Sequence, residues 1–177
     1  MGGEDVLMGG RGMSVKRLSL FGLILFLFVG LSLPHAANPA DDNPLDLILH
    51  DTEGKEVRLG ELADNKPLLL YFWATWCKPC RKTQPRVTSL QKKYKDRIRV
   101  VGINVGGLDS PADIKKYSAK NKITYTMLMD LQDNAVKAYS IYAIPAIIIL
   151  DASGKILFRG NNTPKDLERF LPKPGDS

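Results

Sequence analysis

Phe72-Trp73-Ala74-Thr75-Trp76-Cys77-Lys78-Pro79-Cys80 joins two segments of opposite character. Before it runs Leu68-Leu69-Leu70-Tyr71, continuously apolar in the manner of a strand buried on both faces of a parallel sheet. After it comes a basic, helix-compatible stretch from Arg81 to Tyr94. Cys77 and Cys80 are the only cysteines. With a helix starting at Cys77, their spacing sets both sulfurs on one face of its first turn. Their Cα atoms then lie within the roughly 4.4–6.8 Å that a disulfide tolerates. Pro79 suits a first-turn position, where a missing N–H costs no intrahelical bond. Such a pair opens and closes with little backbone movement.

The helix start also predicts which sulfur reacts first. Unpaired N–H groups and the positive end of the helix dipole favour a thiolate at Cys77, and Lys78 adds a mobile cation. A thiol of pKa about 8.5 is only about 3% ionised at pH 7, against about half at pKa 7. That difference is worth roughly 2 kcal/mol, near the upper limit of a helix terminus. Cys80, deeper in the helix, is expected to stay protonated until it attacks a mixed disulfide at Cys77.

Three other uses of the pair compete. Structural zinc requires four N or S ligands, and beyond the pair the folded part offers only His50, which reads as a surface residue near a turn. A purely structural disulfide closing so short a loop removes little unfolded-chain entropy. Two thiolates also suit Cu(I), but no Met or His cluster accompanies them. No metal and no cofactor is expected.

The nine-residue stretch resembles the active-site segment of the thioredoxin superfamily. The surroundings are most similar to its extracytoplasmic, membrane-tethered branch, the TlpA/ResA type with an AhpC/TSA-Redoxin-type domain. The likeness extends from about Pro44 to Leu171 and includes Ile144-Pro145 before an apolar run. It implies a cis-proline at Pro145 facing the cysteines, with the Ile144 backbone offered to an extended client segment by strand addition. It also implies that Trp76, Lys78 and Pro79 complete the client-binding surface. The activity implied is that of an enzyme, a protein-disulfide reductase with Cys77 as nucleophile and Cys80 resolving. Its partners would be protein thiols and disulfides, together with a membrane electron donor.

Three positions depart from the family pattern. Tyr71 stands where thioredoxins commonly carry a buried Asp, and Thr83 where many tethered reductases carry Glu. Ala146 replaces the acid that cytochrome-maturation members tend to carry after the cis-proline. The usual proton acceptors for Cys80 are therefore missing, which leaves water or the departing thiolate. The same gaps suggest a rival reading, a non-catalytic binding or chaperone module on this fold. The peroxidase pattern is not met, because Thr75 stands one residue too close to Cys77 and has no Pro at the required distance before it.

The chain's 177 residues, 44% hydrophobic and 25% charged, suit one globular domain. Residues 1–37 read separately. Met13-Ser14-Val15-Lys16-Arg17 is a basic opening, and Leu18 to Leu33 is uncharged and mostly apolar. This is a secretory signal pattern. The poorly defined cleavage site around Ala36-Ala37 leaves an uncleaved anchor through residues 18–33 as the alternative, although sixteen residues only marginally span about 30 Å. No cysteine directly follows the apolar run, which excludes lipoprotein processing, and Met13 is the more natural initiator. Residues 38–44 read as a Pro-punctuated linker and 45–172 as the thioredoxin-like domain. Beyond the membrane, where disulfides persist, a domain keeping only a reactive pair suits work on other proteins' thiols. The location expected is periplasmic or extracytoplasmic, and the state monomeric.

The net charge of +6 concentrates between Lys78 and Arg99, where Asp96 is the one acid. Lys78, Lys82, Arg86 and Lys93 share roughly one helix face. Such a face is either solvated or steers an acidic partner or membrane surface; the export signal argues against nucleic acid.

The remaining pattern predicts a hairpin around Asp51-Thr52-Glu53-Gly54, the family's N-terminal addition, and a strand at Ile98–Val105. Helices are expected from Ser110-Pro111 to about Lys120, over Asn134–Tyr139, and from Thr163-Pro164 to near Leu171. Pro85 is expected to kink the long basic helix. Strands are expected at Thr124–Met129 and Lys155–Arg159, and Ile141–Leu150 reads as loop and strand. The order gives an α/β fold, a thioredoxin-like three-layer sandwich with an added N-terminal β-hairpin.

Overall fold

The computed structural model describes residues 43–173. The expected signal or anchor, and the linker up to residue 42, lie outside the described residues. No helix among those described is long and apolar enough to cross a membrane.

A single seven-stranded mixed sheet organises these residues. Its strands are β1 (Ile48–Asp51), β2 (Glu56–Arg58), β3 (Leu68–Trp73), β4 (Arg99–Asn104), β5 (Thr126–Met129), β6 (Ala146–Leu150) and β7 (Ile156–Gly160). They lie in the order β2-β1-β5-β4-β3-β6-β7. The pairs β3–β4 and β4–β5 are parallel, whereas β6 runs antiparallel to β3 and β7 antiparallel to β6. The hairpin β1–β2 joins the sheet through an antiparallel pairing of β1 with β5.

Helices cover both faces: α1 (Leu59–Ala63), α2 (Lys78–Tyr94), α3 (Pro111–Lys120) and α4 (Asn134–Ala138). Every residue of β3 is buried. Leu69, Tyr71 and Trp73 pack with α2 and α3, while Leu68, Leu70 and Phe72 pack with α1 and α4. Period-2 alternation between two apolar layers explains why this strand reads as unbroken hydrophobicity. Its carboxyl end delivers the cysteine loop. Gly102 of β4 sits opposite Tyr71, and a Cβ there would run into Met127 Sδ and the rings of Tyr125 and Trp73.

Both hairpin turns are built alike. Asp51 Oδ1 accepts from the Glu53 and Lys55 amides, and Asp151 Oδ1 from those of Ser153 and Lys155. Gly54 and Gly154 take the left-handed conformation that closes each turn.

Three readings change. The helix expected from Thr163-Pro164 is only a 3-10 turn at Glu168–Phe170. Pro164's carbonyl accepts from Arg86 Nη2 at 3.4 Å and Pro172's from Arg97 Nη2 at 2.8 Å, so arginine side chains take the place of helical N–H donors. Thr163 is buried and caps no helix. Helix α1 was not anticipated, because Gly60 lowers its helical propensity; there a side chain would press on the Leu45 carbonyl, 3.3 Å from the Cβ position. Pro44, read as linker, already belongs to a 3-10 turn at Pro44–Asp46, and its carbonyl accepts from the Tyr139 hydroxyl at 3.1 Å. Helix α2 runs from Lys78 to Tyr94 through Pro85.

Candidate active site

The site is assembled from three loops at the carboxyl ends of β3 and β4 and the amino end of β6. Beyond Trp73, the Cys77 amide donates to the Ala74 carbonyl at 3.2 Å, turning the chain sharply into α2. Cys77 is the N-cap, and its Sγ accepts from the Cys80 amide at 3.2 Å. That contact is the one the sequence argument needs, because an amide pointing at sulfur stabilises negative charge there. Pro79 lies in the first turn, and no acidic side chain shares it.

Cys77 and Cys80 are joined by a disulfide with S–S 2.07 Å and Cα–Cα 5.2 Å. Both cysteines are buried, Cys77 at 4% and Cys80 at 1% exposure. Ile144–Pro145 is a cis peptide bond, and the Ile144 carbonyl oxygen lies 3.8 Å from Cys77 Sγ. Trp76, Lys78 and Pro79 are exposed around the pair, and Ile144 and Pro145 are half-buried beside it. Tyr142, two residues before Ile144, is almost fully exposed, and so largely is Leu108. Lys78, Arg81 and Lys82 form no ion pair among the described residues, whereas Arg97 pairs with Glu168 and Arg99 with Asp64. The basic stretch is thus neutralised towards its far end and open beside the cysteines. Among the described residues no group of three or more His, Cys, Asp or Glu could hold a metal ion.

Two residues contribute beyond the sequence reading. The buried carboxylate of Asp109, in the loop after β4, accepts from the Thr75 amide at 2.7 Å, from the Thr75 hydroxyl, and from Asn104 Nδ2 at 2.6 Å. It clamps the turn that presents Cys77. In the sequence it looks like a loop acid beside the Ser110 cap, 34 residues from its partner. The only signal was redundancy, since Ser110 with Asp113 already forms a complete capping box.

Tyr71 is the second. Its hydroxyl donates to the Cys80 carbonyl at 2.7 Å, and burial pushes its phenol well above the usual range. At neutral pH it is a donor, so it cannot take the proton of Cys80 as an Asp would. The Thr83 hydroxyl donates to the Pro79 carbonyl at 3.4 Å and is no base either.

Burial likewise raises the Tyr125 and Tyr139 phenols. The folded state then keeps protons that the unfolded chain releases above about pH 10, so stability falls as pH rises past that point. Each withheld proton steepens the loss by about 1.4 kcal/mol per pH unit. Urea midpoints measured from pH 8 to 11 should be level up to about 10 and then drop; a curve still flat at 11 would contradict the burial of these phenols.

The family model for the AhpC/TSA family matches residues 39–159. Thiol-disulfide oxidoreductase ResA of Geobacillus thermodenitrificans is 31% identical over 129 residues, 71% of this chain and 72% of that protein. Thioredoxin-like protein YneN of Bacillus subtilis is 34% identical over 130 residues, 71% and 75% of the two chains. A solved thiol-disulfide oxidoreductase from Bacteroides fragilis superposes with TM-score 0.60 at 27% identity, covering 70% of this chain and 92% of its own. With a disulfide at the start of the helix that follows the central strand, and a matching sheet, this chain belongs to the AhpC/TSA family, within the thioredoxin-like thiol-disulfide oxidoreductases.

Proposed function

We propose that the protein reduces disulfides of other proteins outside the cytoplasmic membrane. The observation that carries this reading is the Cys77–Cys80 disulfide at the N-cap of α2, with the Ile144 carbonyl beside Cys77 Sγ. In the dithiol form, Cys77 thiolate attacks one sulfur of a client disulfide. The client's other sulfur leaves as a thiolate and takes up a proton. Cys80 then attacks Cys77 Sγ, closing the internal disulfide and freeing the client's second thiol. Two electrons pass to the client, and a membrane thiol donor returns them to Cys77–Cys80. The proton of Cys80 goes to water or to the departing thiolate, since neither Tyr71 nor Thr83 accepts it.

In this reading Ile144 binds the client through its backbone, next to Pro145, and Trp76, Lys78 and Pro79 line its path. Residues 1–37 act as signal or anchor, 18–33 being the membrane segment, the residues from 38 up to the 3-10 turn at Pro44 link it to the catalytic domain, and that domain acts as a monomer. The basic opening at Lys16-Arg17 and the apolar run after it support export.

Cys80→Ser is the test. With the resolving sulfur gone, incubation with a disulfide-bonded client such as insulin should leave a covalent adduct at Cys77, seen by non-reducing electrophoresis and mapped by mass. Absence of any adduct would remove the exchange mechanism and favour a binding module that works without sulfur chemistry.

A further inference from the structure

Beside the disulfide lies a cavity of about 260 Å³ lined by Pro79, Lys82, Thr83, Pro145, Asn161 and Asn162. Two of its walls belong to the exchange site. Pro79 separates the two cysteines, and Pro145 follows the residue whose carbonyl touches Cys77 Sγ. An extended client segment laid against Ile144 sends successive side chains to opposite sides, about 3.3 Å apart along the strand. A side chain within a few residues of the client cysteine therefore reaches this cavity.

The polar groups there are mostly donors. Lys82 is exposed and forms no ion pair among the described residues. Asn162 Oδ1 already accepts from the Thr163 amide at 3.2 Å, which leaves its NH2 group to donate. Asn161 adds a second amide, and Thr83 contributes a hydroxyl whose proton is directed at the Pro79 carbonyl. No carboxylate lines the cavity, and none occurs in the adjoining first turn of α2. A group that only accepts hydrogen bonds and carries negative charge complements this wall; among protein side chains that means Asp or Glu. Both residue 161 and residue 162 come from the segment after β7, so the cavity is completed far along the chain from the cysteines.

We propose that this cavity is a specificity pocket for an acidic side chain flanking the client's cysteine, with Lys82 as its charged anchor. The proposal rests on the exchange reading above and deepens it. An ammonium–carboxylate contact at a partly exposed position contributes about 1 kcal/mol, which converts to a rate preference of about fivefold.

The test uses homodimeric disulfides of an otherwise uncharged, single-cysteine peptide, with Glu or Gln placed at each of the three positions on either side of the cysteine. Reduced protein is mixed with each, one protein dithiol converting one peptide disulfide into two peptide thiols, and the second-order rate constant is read. Wild type should prefer Glu about fivefold at one or two positions. The preference should shrink to less than twofold in Lys82→Gln and at high salt, yet persist in Lys92→Gln, which removes an exposed charge of the same helix outside the cavity and the exchange site. No preference at any position, a preference that survives Lys82→Gln or high salt, or equal loss in Lys92→Gln would each overturn the pocket. A wild-type protein that reduces neither peptide would instead overturn the exchange reading itself.

Discussion

Cys77→Ser is expected to stop disulfide reduction, with the rate falling by at least about a thousandfold, or roughly 4 kcal/mol of transition-state stabilisation. A serine hydroxyl at the N-cap still accepts the Cys80 amide, so the local backbone stays in place. It does not ionise near neutrality, however, and it forms no bond to sulfur. Cys80 cannot substitute, because it lies within the helix, and the N-cap amide contact that favours a thiolate goes to position 77 and is donated by Cys80 itself. The lost internal disulfide closes a loop so short that it adds only about 2 kcal/mol to stability, so circular dichroism should still report a folded protein. Insulin reduction coupled to an external reductant gives the readout. Turnover within tenfold of wild type would mean that the chemistry resides elsewhere.

Asp109→Ala has the second largest expected effect, and it acts at a distance from sulfur. The substitution strands the Thr75 amide and the Asn104 side chain, both of which now donate to one buried carboxylate. Unmet buried donors cost about 1–3 kcal/mol each, so a loss of about 3 kcal/mol and a Tm lower by on the order of 10 °C are expected. Exchange at Cys77 should slow as well, because the turn holding it loses its clamp. Asp109→Asn separates the two effects. Its amide oxygen can keep the Thr75 and Asn104 donors while the Thr75 hydroxyl rotates to accept, so about 1 kcal/mol or less should be lost. If Asp109→Ala melts like wild type, the clamp carries no weight.

Much of this fold is written locally. Leu68 to Trp73 announces a two-sided strand, Ser110-Pro111 a helix start, and Asp51 and Asp151 the hairpin turns, because each signal is read within a few residues of its effect. The cysteine spacing is local too, and it sufficed to place a disulfide on the first turn of α2. What stayed hidden depends on partners far along the chain. The 163–172 segment has cap and proline signals for a helix, but Arg86 and Arg97 take its carbonyls. Asp109 reads as loop polarity until folding sets it against Thr75. Tyr71 reads as an apolar strand residue in the place of an acid, and nothing local shows that its hydroxyl reaches the Cys80 carbonyl. The cavity at Lys82 draws on residues from both halves of the chain, and no window of sequence contains it.

The position of Cys77 at the N-cap has a kinetic consequence. In the exchange reading both the electron source and the electron sink react at Cys77, so they must use the same doorway in turn. Neither can be present while the other is engaged, and initial-rate plots against both substrates should form parallel lines, the signature of a shuttle that never bridges its two customers.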